Sequence, residues 1–310
     1  MVAFTLSHKT ATGHPHTHLD QQLHTVFPGF SWGNIRPGHS GGSAGRLQWT
    51  TVPDALPLTR AAATLTRSLA LLRSYPDEQN NPERFYRSLA EDTAGMISRL
   101  CADTGTGPLA GKTILDVGGG PGYFRQAFAA YGAGYLAVEP DQREITAAGL
   151  PGAADVRATG QDLPFADATF DVSVSSNVVE HTDRPWQMLD EMLRVTRPGG
   201  LVVVSYTVWL GPFGGHETGL LPHYIGGDYA RRRYQKINGH PPKNVFGHSL
   251  FAVSAARGIA EAKKRAAAGH RLVGLFPRYH PGWAWWVTAV PLLREFAVSN
   301  LVIVMAAHDR

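Results

Sequence analysis

Thr113-Ile114-Leu115-Asp116-Val117 runs straight into Gly118-Gly119-Gly120-Pro121-Gly122, after which Phe124, Ala127, Phe128 and Tyr131 recur at helical spacing. A short apolar run, a glycine-rich turn and an amphipathic stretch read as strand, turn and helix. The glycines allow close backbone approach, and the start of the helix offers N–H groups with no intrahelical partner, so a cofactor is expected at this turn. A dinucleotide fingerprint, G-x-G-x-x-G, fails here. Counted from Gly118, its last position is Tyr123, where a glycine would let helix and strand pack closely. The pattern present is D-x-G-x-G-x-G, from Asp116 to Gly122.

The alternation continues downstream. Tyr135 to Val138, Phe170 to Val174 and Leu201 to Ser205 are further apolar runs of strand length, with helical stretches between them. Trp186, Leu189, Met192 and Leu193 line one face of a helix that Arg197-Pro198-Gly199-Gly200 is expected to end. Continuous apolar strands alternating with helices predict a parallel sheet covered on both faces. Upstream, Leu65, Leu69 and Leu72, then Phe85, Leu89, Met96 and Leu100, fall at helical spacing, with Asn81-Pro82-Glu83 as cap and first turn. Residues 1–58, rich in Gly, Pro, His, Ser and Thr, cannot bury enough apolar surface to offset the entropy of ordering and are expected to be a disordered extension. Pro15, and the lack of a carboxylate or cysteine partner, argue against reading His14, His16 and His18 as a metal tract. The resulting map is an extension (1–58), N-terminal helices (59–110), a cofactor-binding core (111–208), an insertion (209–250) and a return to the core (251–310).

Composition excludes several classes. At 310 residues, 43% hydrophobic and 17% charged, the chain can bury one α/β domain with additions. A single cysteine, Cys101, rules out an intramolecular disulfide and a cysteine-based zinc cluster. The longest apolar stretch, Trp283 to Leu293, is broken by Pro291 and is too short to span a bilayer, and the histidine-bearing N-terminus has no secretory apolar core. A cytoplasmic protein is the expectation. A formal charge of +4 and a pI near 9.2 permit contact with anionic surfaces without requiring it. Arg231, Arg232, Arg233 and Lys236, then Lys263, Lys264 and Arg265, are basic clusters with no RNA-binding motif, so solvated helix faces are favoured over nucleic acid. Trp283, Trp285 and Trp286 fit either core packing, which is favoured, or an interfacial segment in peripheral contact with a membrane.

With D-x-G-x-G-x-G in place, the chain resembles the class I S-adenosylmethionine-dependent methyltransferases, strongly over 113–208 and more loosely over 251–310. The resemblance implies a Rossmann-like, seven-stranded, mostly parallel sheet whose last strands are Arg271 to Pro277 and Leu301 to Ala306. It implies S-adenosyl-L-methionine as cofactor, held by Asp116, Gly118, Gly119, Gly120 and Gly122. Glu139 would bind the ribose hydroxyls, Asp162 with Leu163 would lie at the adenine, and Asn177 would stand at the end of the next strand. Quinone O-methyltransferases of the family carry E-x-x-E-H and bind a divalent ion through it. Asn177, Glu180 and His181 stand in the matching places, but the first carboxylate is absent, and a histidine that orients the loop is favoured over a metal. The insertion and the tail look like an uncharacterised actinobacterial branch of the family.

Methyl transfer to an alcohol requires alignment and removal of a proton. Histidine is the side chain whose unperturbed pKa lies near neutrality. His181, at the carboxyl edge of the sheet, leads as candidate base, followed by His216 with its neighbour Glu217, and by His223, all three of the latter in the insertion. The expected acceptor is the oxygen of a small-molecule or lipid-linked glycan substrate. An RNA methyltransferase and a non-catalytic S-adenosylmethionine-binding module are the alternatives.

Overall fold

The computed structural model describes residues 56–75, 81–141, 145 and 156–308. The expectation of disorder for residues 1–55 lies outside these. Residues 56–58 are part of the fold: Leu56 is buried, and the Asp103 carboxylate accepts from the Leu58 amide (2.9 Å) and from the Thr59 amide and hydroxyl (2.9 and 2.6 Å). Helices Pro57–Ala62 (α1) and Leu65–Arg73 (α2) precede the long helix Pro82–Thr104 (α3), which Asn81 caps by accepting from the Arg84 amide. Proline in the first turn of α1 and of α3 sacrifices no intrahelical bond.

One helix face needs correction. Leu65 and Leu69 of α2, expected inside, are exposed, whereas Ser68 and Leu71 are buried. Arg67 sets this rotation by reaching Asp92 of α3 with two bonds of 2.6 and 2.8 Å.

The sheet follows as Thr113–Val117 (β1), Gly134–Val138 (β2), Phe170–Ser176 (β3), Thr196–Thr207 (β4), Arg271–Pro277 (β5) and Asn300–Ala306 (β6). The intervening helices are Phe124–Ala129 (α4), Pro185–Val195 (α5), Gly227–Asn238 (α6), Ala255–Ala267 (α7) and Leu293–Ala297 (α8). Strand order is β2-β1-β3-β4-β6-β5. β1 is parallel to β2 and β3, and β3 to β4, whereas β6 runs antiparallel to both β4 and β5. Among the described residues the sheet is therefore mixed and six-stranded, where seven mostly parallel strands were expected. Beyond β2, the described residues form a parallel bridge of Val138 with Val156. Arg197-Pro198-Gly199-Gly200 follows directly on the end of α5 at Val195, as expected, and has a further role. It is a bulge inside β4, where the register on β3 jumps from Phe170–Thr196 to Val172–Leu201.

Period-two alternation sorts the strand side chains onto two faces. Val202 and Val204 pack with Leu115, Met188, Leu189, Met192 and Ile259, under α5 and α7. Leu201 and Val203 pack with Ile114, Leu89, Ile97, Leu100 and Phe128, under α3 and α4.

The Trp-rich stretch is a 3₁₀ segment, Gly282–Ala289. Core packing holds for Trp285, stacked on Phe276 at 4.2 Å, but Trp283 and Trp286 are exposed at 69% and 56%. Of the basic clusters, Arg265 is no solvated charge. It is buried, pairs with Glu261 (2.8 Å) and Asp190 (2.7 Å), and donates to the Trp186 carbonyl.

At the carboxyl edge of the sheet, Arg278 is fully buried. It donates to Ser176 and Ser205 hydroxyls at 3.1 and 3.3 Å, to Thr93 at 2.5 Å and to Asp92 at 3.2 Å. Burial works against the charge on Asp92, but the Arg278 and Arg67 guanidiniums outweigh it and hold the carboxyl below its ordinary 3.8. Asp92→Asn should cost about 3 kcal/mol, because it leaves Arg278 buried with its charge uncompensated. A carboxyl depressed in the folded state contributes its stability above the unfolded pKa and loses it as pH falls through the folded one. Denaturant unfolding should thus show the full gap between parent and variant at neutral pH, shrinking below about pH 4.

Candidate active site

Turns at the carboxyl ends of β1, β2 and β3 assemble the site. After β1 the chain turns with Gly118, Gly120 and Gly122 at φ of 79°, 51° and 81°, a region closed to most side chains. The glycines do different work. A Cβ at Gly118 would overlap the Val178 methyls, so this glycine lets the β1 turn and the β3 turn pack together. In front of Gly120 the space is open, leaving backbone available to a ligand. A Cβ on Gly119 would come within 3.0 Å of Asp116 Oδ2, and Asp116, itself buried, accepts from the Tyr135 hydroxyl at 2.6 Å.

Glu139 follows β2 and bridges the two turns. Its Oε2 accepts from the Gly120 amide at 3.3 Å and its Oε1 from the Asp141 amide at 3.2 Å. Asp116, the glycines and Glu139 are thus brought together at one edge. The segment carrying Asp162 and Leu163 reaches the same edge: Gly160 packs on Val117, and Leu163 is buried in the cluster that holds Val117 and Val138. The Leu163 amide donates to Glu191 (2.9 Å), while Asp162 stays exposed.

Beyond β3, Asn177 takes a left-handed conformation (φ 58°), and its Oδ1 accepts from Asn300 Nδ2 at 2.7 Å. That bond takes one lone pair of the oxygen a cation would use. Glu180 and His181 sit on the 3₁₀ turn Val179–His181. Glu180 is 1% exposed, with Oε1 accepting from the Thr207 amide at 2.9 Å. His181 Nδ1 lies 2.7 Å from the Ser249 carbonyl. A carbonyl only accepts, so Nδ1 carries a proton, and the lone pair of the neutral ring is on Nε2.

The insertion supplies the other histidines. His216 opens the 3₁₀ turn His216–Thr218 at φ 47°, with its ring 5.1 Å from that of His181. Burial, helped by His181 and His223, pushes its pKa down to about 3, so the ring is neutral across the physiological range. Glu217 does not serve it: both carboxylate oxygens accept from Asn244, at 2.6 and 2.9 Å. His223 is buried, donates from Nε2 to the Gly211 carbonyl at 3.2 Å, and packs on Trp209 and Tyr224. The sequence placed His181 and His216 on separate segments, and no local spacing signals that their rings meet.

A methyltransferase domain model matches residues 115–204. A curated relative from Mycobacterium tuberculosis (strain ATCC 25177 / H37Ra), named an uncharacterized methyltransferase, is 59% identical over 248 residues, covering 78% of this chain and 95% of the relative. One from Mycobacterium marinum, with the same name, is 58% identical, covering 79% and 95%. The chain belongs to this methyltransferase family. It thereby falls within the class I S-adenosylmethionine-dependent superfamily that its turn motif resembles. Among solved structures, it is similar to an S-adenosylmethionine-dependent methyltransferase from Thermotoga maritima described as a possible histamine N-methyltransferase. That likeness has 18% identity, TM-score 0.43 and coverage of 80% of this chain and 99% of the other. A putative S-adenosylmethionine-dependent methyltransferase from Listeria monocytogenes gives 15% identity and TM-score 0.46, covering 67% and 98%.

In the methyltransferase, Glu139 stands beside the Gly120 turn with both carboxylate oxygens on backbone amides, the position at which the motif resemblance expects the ribose. Glu139→Ala should weaken S-adenosylmethionine binding by about 1.5–3 kcal/mol, the scale of hydrogen bonds to a charged group. Calorimetry reads the affinity, and the thermal midpoint recorded alongside separates this loss from a loosened turn.

Proposed function

We propose that the methyltransferase transfers a methyl group from S-adenosylmethionine to a hydroxyl oxygen of a small-molecule or lipid-linked glycan acceptor. The open space before Gly120 and the Glu139 carboxylate beside it fit the cofactor. S-adenosylmethionine supplies a sulfonium methyl already activated toward a nucleophile. The remaining work falls to the chain: Gly120 and Glu139 hold the cofactor, the insertion excludes water, and a histidine takes the hydroxyl proton. The observation that carries the choice of oxygen is His181. Its Nδ1–H is anchored on Ser249, so Nε2 is a fixed proton acceptor at the junction of insertion and core. His216, neutral and half-buried beside it, is the poorer base, because a conjugate acid near 3 gives little driving force at neutral pH.

A second observation favours an acceptor carried on lipid. The short helix α8 is inverted: Glu295 is buried and its two oxygens accept from the Ala255 and Ala256 amides at 2.8 and 2.7 Å, while Leu292, Leu293 and Phe296 are exposed. Tyr224 of the insertion stacks on Phe296 at 6.3 Å, next in sequence to the exposed Ile225 and close to the exposed Leu220 and Leu221. Arg232, Arg233 and Lys236 of α6, exposed, follow this turn. Apolar side chains flanked by cations suit a membrane with anionic headgroups.

The test is to incubate the protein with labelled S-adenosylmethionine and fractionated cell extract. Label is expected in the lipid-glycan or small-molecule fraction; label in RNA alone would refute the reading. On the acceptor so found, His181→Ala should lower turnover about 10²- to 10⁴-fold with cofactor affinity nearly intact. Co-sedimentation with anionic vesicles at low salt should be strong for the parent and weak for Leu221→Ser with Phe296→Ser; equal binding of both would remove the lipid.

A further inference from the structure

Three side chains from two turns converge beyond β3 with their bonding unfinished. Glu180 has one oxygen on the Thr207 amide, while its Oε2 is buried with no partner. His216 Nε2 is likewise buried without a partner. His181 presents Nε2 because Ser249 holds its Nδ1 proton. One ligand atom from each of the three lies within 4.8 Å of the others. A buried carboxylate oxygen left without a donor costs roughly 1–3 kcal/mol, so its persistence beside an equally orphaned imidazole nitrogen calls for an occupant. A direct Glu–His bond would satisfy both, yet the two atoms stand apart.

We propose that Glu180, His181 and His216 form a binding site for a divalent transition-metal ion, with zinc the best match. Two imidazole nitrogens and one carboxylate oxygen are the donor set of an open zinc centre, whereas Mg²⁺ and Ca²⁺ prefer all-oxygen shells. Ligand atoms about 2.1 Å from a tetrahedral ion stand roughly 3.4 Å apart, so side-chain movement under about 1 Å closes the site. The outer partners are in place. The Ser249 carbonyl orients His181, and the Thr207 amide orients Glu180. Both histidines remain partly accessible, which leaves a way in and a coordination position free. Asn177 is held by Asn300, and the third donor that converges with Glu180 and His181 is His216 of the insertion. This site goes beyond the transfer reaction proposed above. With an ion present, His181 Nε2 is a ligand and no longer a base, and a hydroxyl in the open position would lose its proton from the ion-bound oxygen to solvent.

Titration of the full chain with Co²⁺, followed by ligand-field absorption and by displacement with Zn²⁺, tests the site without any methyl transfer. The parent should give the intense visible bands of a low-coordinate nitrogen–oxygen site. His216→Asn, chosen because asparagine tolerates the left-handed backbone, should weaken binding at least 10-fold. A variant with His14, His16 and His18 all changed to Ala should bind like the parent. Zinc-edge X-ray absorption on the parent should show two imidazoles and no sulfur, which keeps the test standing if a variant fails to fold. No cobalt bands, unchanged binding in His216→Asn, or binding lost with the N-terminal histidines would overturn the proposal. A protein that binds zinc here yet methylates no hydroxyl would remove only the transfer reading.

Discussion

A guanidinium with no access to water must be neutralised where it lies, and the carboxyl edge of this sheet is arranged around that requirement at Arg278. The side chain leaves the end of β5 and crosses to the last residue of β3 and to Ser205 on β4, while its other nitrogen bonds Asp92 and Thr93 of α3. Arg67 on α2 pairs with the same Asp92 and also donates to the Arg278 carbonyl at 3.0 Å. Two helices and three strand ends are therefore fixed to one charge network, adjacent in sequence to Asn177. Buried ion pairs are costly ways to gain stability, but they tolerate few alternative arrangements. The positions of the β3 turn, and with it Glu180 and His181, inherit that restriction.

From this edge the site is built by close approach. Gly118 packs against Val178 where any side chain would overlap, so the β1 turn and the β3 turn cannot shift independently. Asn177 adopts the left-handed conformation after β3, and Asn300 at the start of β6 holds it there. The antiparallel β6 is thereby part of the site, since it carries both the Asn300 side chain and the backbone carbonyl that accepts from the Arg278 amide.

What the sequence revealed and what it concealed divide along physical lines. The turn from Asp116 to Gly122 and the strands around it were legible because each rests on local pattern: apolar runs, glycines at a strand end, helical spacing; β5 and β6 were expected from the family resemblance. The strand count was not: among the described residues the place beyond β2 holds a bridge at Val156, which differs from a strand in its pairing alone. Arg197-Pro198-Gly199-Gly200 was legible as the stop after α5 but not as a bulge, because only the register on β3 reveals one. Charge partners were least legible. Nothing near Arg278 in sequence announces Asp92, and nothing near His181 announces His216.

The tryptophans show how the type of helix decides exposure. In a 3₁₀ segment residues three apart eclipse one another, so Trp283 and Trp286 share one ridge while Ala284 and Val287 share the next. The second ridge is buried and the first faces outward, whereas Trp285 turns onto Phe276. An α-helical spacing would have spread the three rings around the axis. α8 repeats the outcome by a different route, since Glu295 is drawn inward to cap α7 and rotates Leu292 and Phe296 away from the core. Two adjacent elements thus expose apolar side chains for independent reasons. Core packing accounts for neither exposed set: one follows from the three-residue repeat of the 3₁₀ segment, the other from the inward turn of Glu295.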